Sequence, residues 1–411
     1  MHEMQARSCH PELPKRVEVI DCTLRDGEQA PGVWFTTDEK LALASLLSAA
    51  GIDVLDAGFP AAAEIEVETL QAMRAQNLSA RIGATARPIV SDIAAAERAR
   101  AHEVFLFMPT SELRLRETLG ISHEEASRVF RRGAEEVLAR GMALNLVCED
   151  ATRAAPSALQ DMVEALAPHV AIARLVICDT VGCAHPAGMQ ALIRTLDRAF
   201  GAEIPLCVHT HNDFGMAGAN TLAAVAAGAR AITCTVNGIG ERAGNADLAE
   251  CVAALTHLYG VEHGVDPLLL AALSRAVQQS SGIHMSPTKP VTGSNVYRHE
   301  SGVHVAAMLK NTRSYEFLPA SWSGRQTEFV LGKHSGGALV RYILERAGLA
   351  ASEEHVQALL QEVKTAAIAR DKFEHQGAYA SKQVFERACL SGIDQSTLLA
   401  HAAGRRQRIA G

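Results

Sequence analysis

Two histidines in one short apolar stretch are the first residues that could do chemistry. His209 and His211 are two apart in Val208-His209-Thr210-His211-Asn212-Asp213. On a strand that spacing points both imidazoles to one face. Two imidazoles on one face make a good pair of ligands for a divalent cation. Asp26, in Thr23-Leu24-Arg25-Asp26-Gly27-Glu28-Gln29, could add a carboxylate. Asn245, in Gly240-Glu241-Arg242-Ala243-Gly244-Asn245, offers an amide oxygen. Two nitrogens and two oxygens suit zinc, manganese or cobalt, and magnesium less comfortably. A His-x-His alone more often lines a strand end without metal; the company of Asp26 and Asn245 turns the reading toward a cation site. Arg25 reads two ways. It is a structural ion-pair partner of Asp26, or a fixed positive charge beside a forming oxyanion, where it would contribute on the order of 3–4 kcal/mol in a dry site.

These residues need elements to bring them together. Short apolar runs recur at Val17–Cys22, Ile52–Gly58, Arg81–Ala86, Val104–Met108, Leu144–Cys148, Leu175–Cys178, Leu206–His209 and Ala231–Val236. Near-continuous apolar character suits parallel strands covered on both faces. The segments between them read as helices. Thr36-x-x-Glu39 and Ser122-x-x-Glu125 resemble capping boxes, and Gly51 is a stop. The pattern predicts an α/β fold, a (β/α)8 TIM barrel, with an open doubly wound sheet as the alternative. No G-x-G-x-x-G follows the first run, which removes the usual dinucleotide fingerprint. Active groups of such barrels sit at the C-terminal ends of strands, and each candidate above follows an apolar run.

The expected boundaries are a flexible tail at 1–14, a catalytic barrel at 15–285, a linker subdomain at 286–345 and a small helical domain at 346–411. Pro287, Pro290, Gly293 and Gly302 punctuate the linker. Ser352 caps a helix with apolar residues at Val356, Leu359, Leu360 and Val363. The tail from Gly404 is basic and expected to fray.

Composition narrows the class. A net charge of −7 and 4% aromatic residues argue against nucleic-acid backbones and base stacking as partners. No apolar stretch reaches the ~18 residues of a membrane helix, and the N-terminus lacks the apolar core of a secretory signal. Nine cysteines, an odd number without a Cys-x-x-Cys pair, speak for a reducing cytoplasm.

Four motifs together resemble the isopropylmalate and homocitrate synthase family of metal-dependent Claisen-condensing barrels. They are Thr23–Gln29, His209–Asp213, Gly240–Asn245 and Arg298-His299-Glu300-Ser301-Gly302-Val303-His304. The resemblance spans roughly residues 16–345. Within the group it is nearest to homocitrate synthase, along the stretch from Lys289-Pro290-Val291 through Tyr315-Glu316 and along Val330–Gly336. It implies that Asp26, His209 and His211 hold one divalent ion (Zn, Mn, Co or Mg), with Asn245 at or next to it. It places Arg25 beside the acceptor carbonyl and Thr180 on the acceptor carboxylate. It implies a base group of Glu149, His304 and Tyr315, the last two from a partner subunit, hence an obligatory homodimer. Acetyl-CoA is the implied co-substrate and 2-oxoglutarate the first acceptor, giving homocitrate. The chemistry agrees, because a thioester methyl is a weak carbon acid that needs a well-placed base such as histidine.

Departures leave the acceptor open. Lysine-pathway homocitrate synthases carry an arginine on the fifth strand that grips the far carboxylate; Asn145 stands there and cannot supply a charged fork. Arg87, ending the third run, is the candidate replacement. Asp56 stands where many relatives have glutamate. Other acceptors are 2-oxoisovalerate, pyruvate, oxaloacetate and phosphonopyruvate. A leucine-binding regulatory domain, usual in isopropylmalate synthases, does not fit after residue 345. A lyase of the hydroxymethylglutaryl-CoA type would need a cysteine in the glycine-rich loop after the eighth run, which has none.

Overall fold

The structure is a computed structural model describing residues 9–10 and 12–369. It divides into two compact units, one up to Gly282 and one from Ile283. The first is a closed parallel barrel in strand order β1 to β8. The strands are β1 (Glu18–Asp21), β2 (Val54–Asp56), β3 (Arg81–Ala86), β4 (Glu103–Pro109), β5 (Ala143–Glu149), β6 (Arg174–Asp179), β7 (Leu206–Thr210) and β8 (Ala231–Cys234). Each falls on one of the apolar runs, and β1 closes the ring on β8 through Val19 opposite Ile232.

Local chemistry starts and stops the surrounding helices. Thr36 and Glu39 form a reciprocal capping box before the helix Thr37–Ala49. Gly51 then turns the chain at φ +83°, where a Cβ would run into the Gly264 carbonyl. Ser122 caps His123–Ala139 by accepting from the Glu125 N–H.

Inward-facing side chains stack in layers along the barrel axis. At the N-terminal end Arg174 lies between Glu18 and Glu103 and bonds Asn145 Oδ1 at 2.6 Å. Above it a continuous apolar layer includes Ile20, Val54, Phe105, Val176 and Cys207, with Val147 packed on it. This layer separates the lower charges from the C-terminal mouth.

In the second unit, Arg298–His299 and Glu328–Phe329 pair as a short parallel ladder. Ser352 caps the helix Glu353–Ile368, as its sequence predicts. Val356 and Leu360 of that helix pack on Val340 of the helix Gly337–Arg346. A domain break at 345/346 would cut between these partners, so both helices belong to one cluster. Leu13, inside the expected N-terminal tail, is buried. The remaining expectations for 1–8 and 370–411, including the basic C-terminus, lie outside the described residues. No described helix is long and apolar enough to cross a membrane.

Candidate active site

The turn after β1 delivers two functional side chains. The Cys22 carbonyl accepts from the N–H groups of Arg25, Asp26 and Gly27, winding the chain tightly at the barrel mouth. The Thr23 hydroxyl oxygen accepts from Val236 N–H at 2.8 Å, which ties this turn to the loop after β8. That loop folds back so that Asn245 bridges His211. The mouths of strands one, seven and eight therefore meet.

Asp26, His209 and His211 converge there, with potential ligand atoms within 4.8 Å of one another. His209 Nε2 lies 3.2 Å from His211 Nε2 and 3.5 Å from Asp26 Oδ2. Thr233 on β8 meets His209 Nδ1 at 2.8 Å, which leaves Nε2 turned toward the other two groups. Asn245 Nδ2 donates to Asp26 Oδ1 at 3.0 Å, while its Oδ1 is buried without a partner. An orphaned buried oxygen beside a carboxylate and two imidazoles is what a cation site leaves when its protein groups are described alone. The donor set of two imidazole nitrogens and two oxygens fits zinc, manganese, cobalt or magnesium.

Electrostatics favour the ligating forms. Burial pushes the His211 pKa down to about 4, helped by neighbouring His209 and only partly opposed by Asp26. Burial alone would raise Asp26, but the adjoining His209 ring and the Arg25 charge outweigh it and hold the carboxyl well below the usual carboxylate range. A neutral His211 imidazole beside an ionised Asp26 carboxylate is the pairing that binds metal.

Arg25 is fixed from two sides, with Nε on Asp56 Oδ2 at 2.7 Å and Nη1 on Asp26 Oδ2 at 3.1 Å. Thr85 donates to Asp56 at 3.0 Å and completes the support. The four groups open on a cavity of about 400 Å³ whose lining includes Arg25, Asp26, Thr180, His209, His211, Arg114 and Glu149. The Thr180 hydroxyl accepts from Asp150 N–H at 2.8 Å, so its own proton stays available for a ligand. Burial raises the Glu149 pKa against the opposing charge of Arg114, whose Nη2 lies 3.1 Å from Oε1.

Two sequence expectations fail on geometry. Asn145 is not at the cavity; it lies in the lower polar layer, donating to Glu103 Oε2 at 2.8 Å. Arg87 spends its guanidinium on Asp92, at 2.7 and 3.0 Å, and is half exposed outside the cavity lining. His304 and Tyr315 belong to the second unit, where their rings stack with centroids 4.0 Å apart.

Three groups escape a reading of the residues that directly follow each apolar run. Thr233 sits within the eighth run, and only its inward alternation could have marked it. Phe105 likewise faces inward from within β4. Arg114 lies five residues beyond β4, on the π-helical turn Arg114–Leu119.

Comparisons with known proteins identify the family. Residues 16–277 match the HMGL-like family, and residues 291–371 match the homocitrate synthase post-HMGL domain-like family. Homocitrate synthase AksA of Methanopyrus kandleri is 42% identical over 86% of this chain and 88% of its own. A putative (R)-citramalate synthase CimA from the same organism is 39% identical, over 88% of this chain and 71% of its own. A probable 2-isopropylmalate synthase of Ignicoccus hospitalis is 42% identical over 86% and 88%. Among solved structures, hydroxymethylglutaryl-CoA lyase from Pseudomonas aeruginosa superposes with a TM-score of 0.61 at 20% identity, covering 69% of this chain and 98% of that one, which shows the shared barrel fold. The chain therefore belongs to the HMGL-like family, in the group of acetyl-CoA-dependent synthases acting on 2-oxo acids that includes homocitrate, citramalate and isopropylmalate synthases.

Proposed function

We propose that the protein condenses acetyl-CoA with a 2-oxo acid and releases free CoA, with 2-oxoglutarate, giving homocitrate, as the first candidate acceptor. Pyruvate, 2-oxoisovalerate, oxaloacetate and phosphonopyruvate are the alternatives. The observation that carries the reading is the convergence of Asp26, His209 and His211 beside an anchored Arg25. Asp26, His209, His211 and Asn245 Oδ1 would hold a divalent ion, which would supply Lewis acidity to the acceptor keto group.

The chain's own residues do the rest. Thr180 donates its hydroxyl proton to the acceptor carboxylate. His304, oriented by Glu149, takes a proton from the acetyl methyl, with Tyr315 beside it. The carbanion equivalent attacks the keto carbon, and the keto oxygen becomes an alkoxide next to Arg25. Because Asp56 and Asp26 already hold that guanidinium, it need not reorganise as negative charge grows. The alkoxide is protonated, and water cleaves the thioester, with the thiol leaving as CoA. His304 and Tyr315 come from a partner subunit in this proposal, which makes the active form a homodimer; the exposure of both rings in the single chain supports it.

The test is a thiol assay on metal-loaded protein with acetyl-CoA and each of the five acceptors. Acceptor-dependent thiol release is expected with at least one. Silence with all five contradicts the proposal.

A further inference from the structure

We propose that Arg114 grips a second anionic group on the acceptor, at the end remote from the keto acid. The inference rests on the synthase reading and narrows its substrate class to 2-oxo acids carrying a far carboxylate or phosphonate.

The barrel interior leaves little choice. Directly beneath the metal-binding groups the cavity is closed by Phe105, Val147 and Val176, which belong to the apolar layer. A charged substituent pointing down the axis would be buried there without a partner, at a cost of several kcal/mol. Asn145 lies below that layer, already committed to Glu103 and Arg174. The far end of an acceptor must therefore turn sideways along the cavity wall.

The cations on that wall are not equivalent. Arg25 is held by Asp56 and Asp26. Arg242 is held by both oxygens of Asp213, at 2.8 and 3.0 Å, and by the Thr180 carbonyl at 2.7 Å. Arg114 differs. Its one ion pair engages Nη2 with Glu149, and its Nε is buried with no hydrogen-bond partner. A buried guanidinium N–H left unpaired is costly unless something fills it. Of the guanidiniums lining this cavity, only Arg114 has such an atom among the described residues. Its backbone adds a second, independent sign, because Arg114 opens a π-helical turn, a rare geometry that recurs at functional sites. A planar guanidinium that keeps an unpaired N–H suits carboxylate and phosphonate alike.

The experiment compares wild type with Arg114→Met and Arg114→Lys. The acceptors are oxaloacetate, 2-oxoglutarate and phosphonopyruvate on one side, pyruvate and 2-oxoisovalerate on the other. kcat/KM is measured with acetyl-CoA, and acceptor affinity is measured by calorimetry on metal-loaded protein without acetyl-CoA. Wild type is expected to prefer the acceptors with two anionic groups. In Arg114→Met the ratio of doubly to singly anionic acceptors should fall about 10- to 100-fold, the worth of a hydrogen bond to a charged group. Arg114→Lys should fall between, and the best member of the first set tells carboxylate from phosphonate. A wild-type preference for pyruvate or 2-oxoisovalerate overturns the inference. So does an equal loss for both classes, which would mean that Arg114 acts only through Glu149. If no acceptor releases thiol, the synthase reading fails by itself, and the calorimetric ratio still decides the role of Arg114.

Discussion

Thr233→Val isolates the support of the cation site from the site itself. Thr233 is buried on β8, and its hydroxyl meets His209 Nδ1 at 2.8 Å. When that hydroxyl accepts from Nδ1–H, the tautomer is fixed with a bare Nε2 facing Asp26 and His211. Valine has nearly the same shape, so packing survives while the hydrogen bond is lost. Outer partners of ligating histidines typically contribute 10- to 100-fold in metal affinity, or about 1.4–2.8 kcal/mol at 1.4 kcal/mol per tenfold. The buried setting places the expected loss in that window. Competition against a chelating dye gives the metal Kd, and activity at saturating metal should recover most of its wild-type value. A Kd within twofold of wild type refutes the assignment of Thr233 as the partner that orients His209.

Other perturbations test neighbouring links. Asp56→Ala frees Arg25 from its shorter ion pair, and kcat should fall about 10- to 100-fold with little change in metal content, as measured by steady-state kinetics and elemental analysis. Gly240→Ala would place a methyl against Asn245 Nδ2 and Asp26 Oδ1, and bound metal should fall about tenfold or more. Lys40 is buried between Glu28 at 2.6 Å and Glu66 at 2.7 Å; Lys40→Met strands both carboxylates and should cost about 3 kcal/mol in urea unfolding. Burial raises the Asp21 pKa to about 7, well above the usual carboxylate range and against the opposing hydrogen bonds from Thr23. The folded state then holds a proton that the unfolded chain has released, so stability should decline as pH rises from about 4 to about 7. Asp21→Asn should flatten that slope, and an unchanged slope in urea midpoints across the window would contradict the assignment.

Much of the fold was legible because parallel strands covered on both faces must be apolar along their length. The eight runs marked all eight strands of the barrel, and the residues just past them marked the mouth. Asp26, His209, His211 and Asn245 could be picked because they sit at those ends. Depth along the barrel axis was less legible. Asn145 precedes Glu149 by four residues, about 13 Å along a strand, so a short amide at that position stays in the lower layer where a longer side chain could climb. Arg87 directly follows its strand, but Asp92 in the first turn of the following helix captures it, a pairing that a scan for strand ends does not weigh. Arg114 was hidden for the opposite reason: it reaches the cavity from a π-helical turn, outside any strand-end pattern.

The most direct test of the account is whether a carbon–carbon bond forms. Metal-loaded protein is incubated with acetyl-CoA labelled with carbon-13 at the methyl and with 2-oxo acids labelled with carbon-13 at the keto carbon, and the products are read by NMR. A one-bond carbon–carbon coupling between the former methyl and the former keto carbon, appearing in step with free thiol, is the predicted result. Thiol release without that coupling would show thioester hydrolysis alone and contradict the condensation.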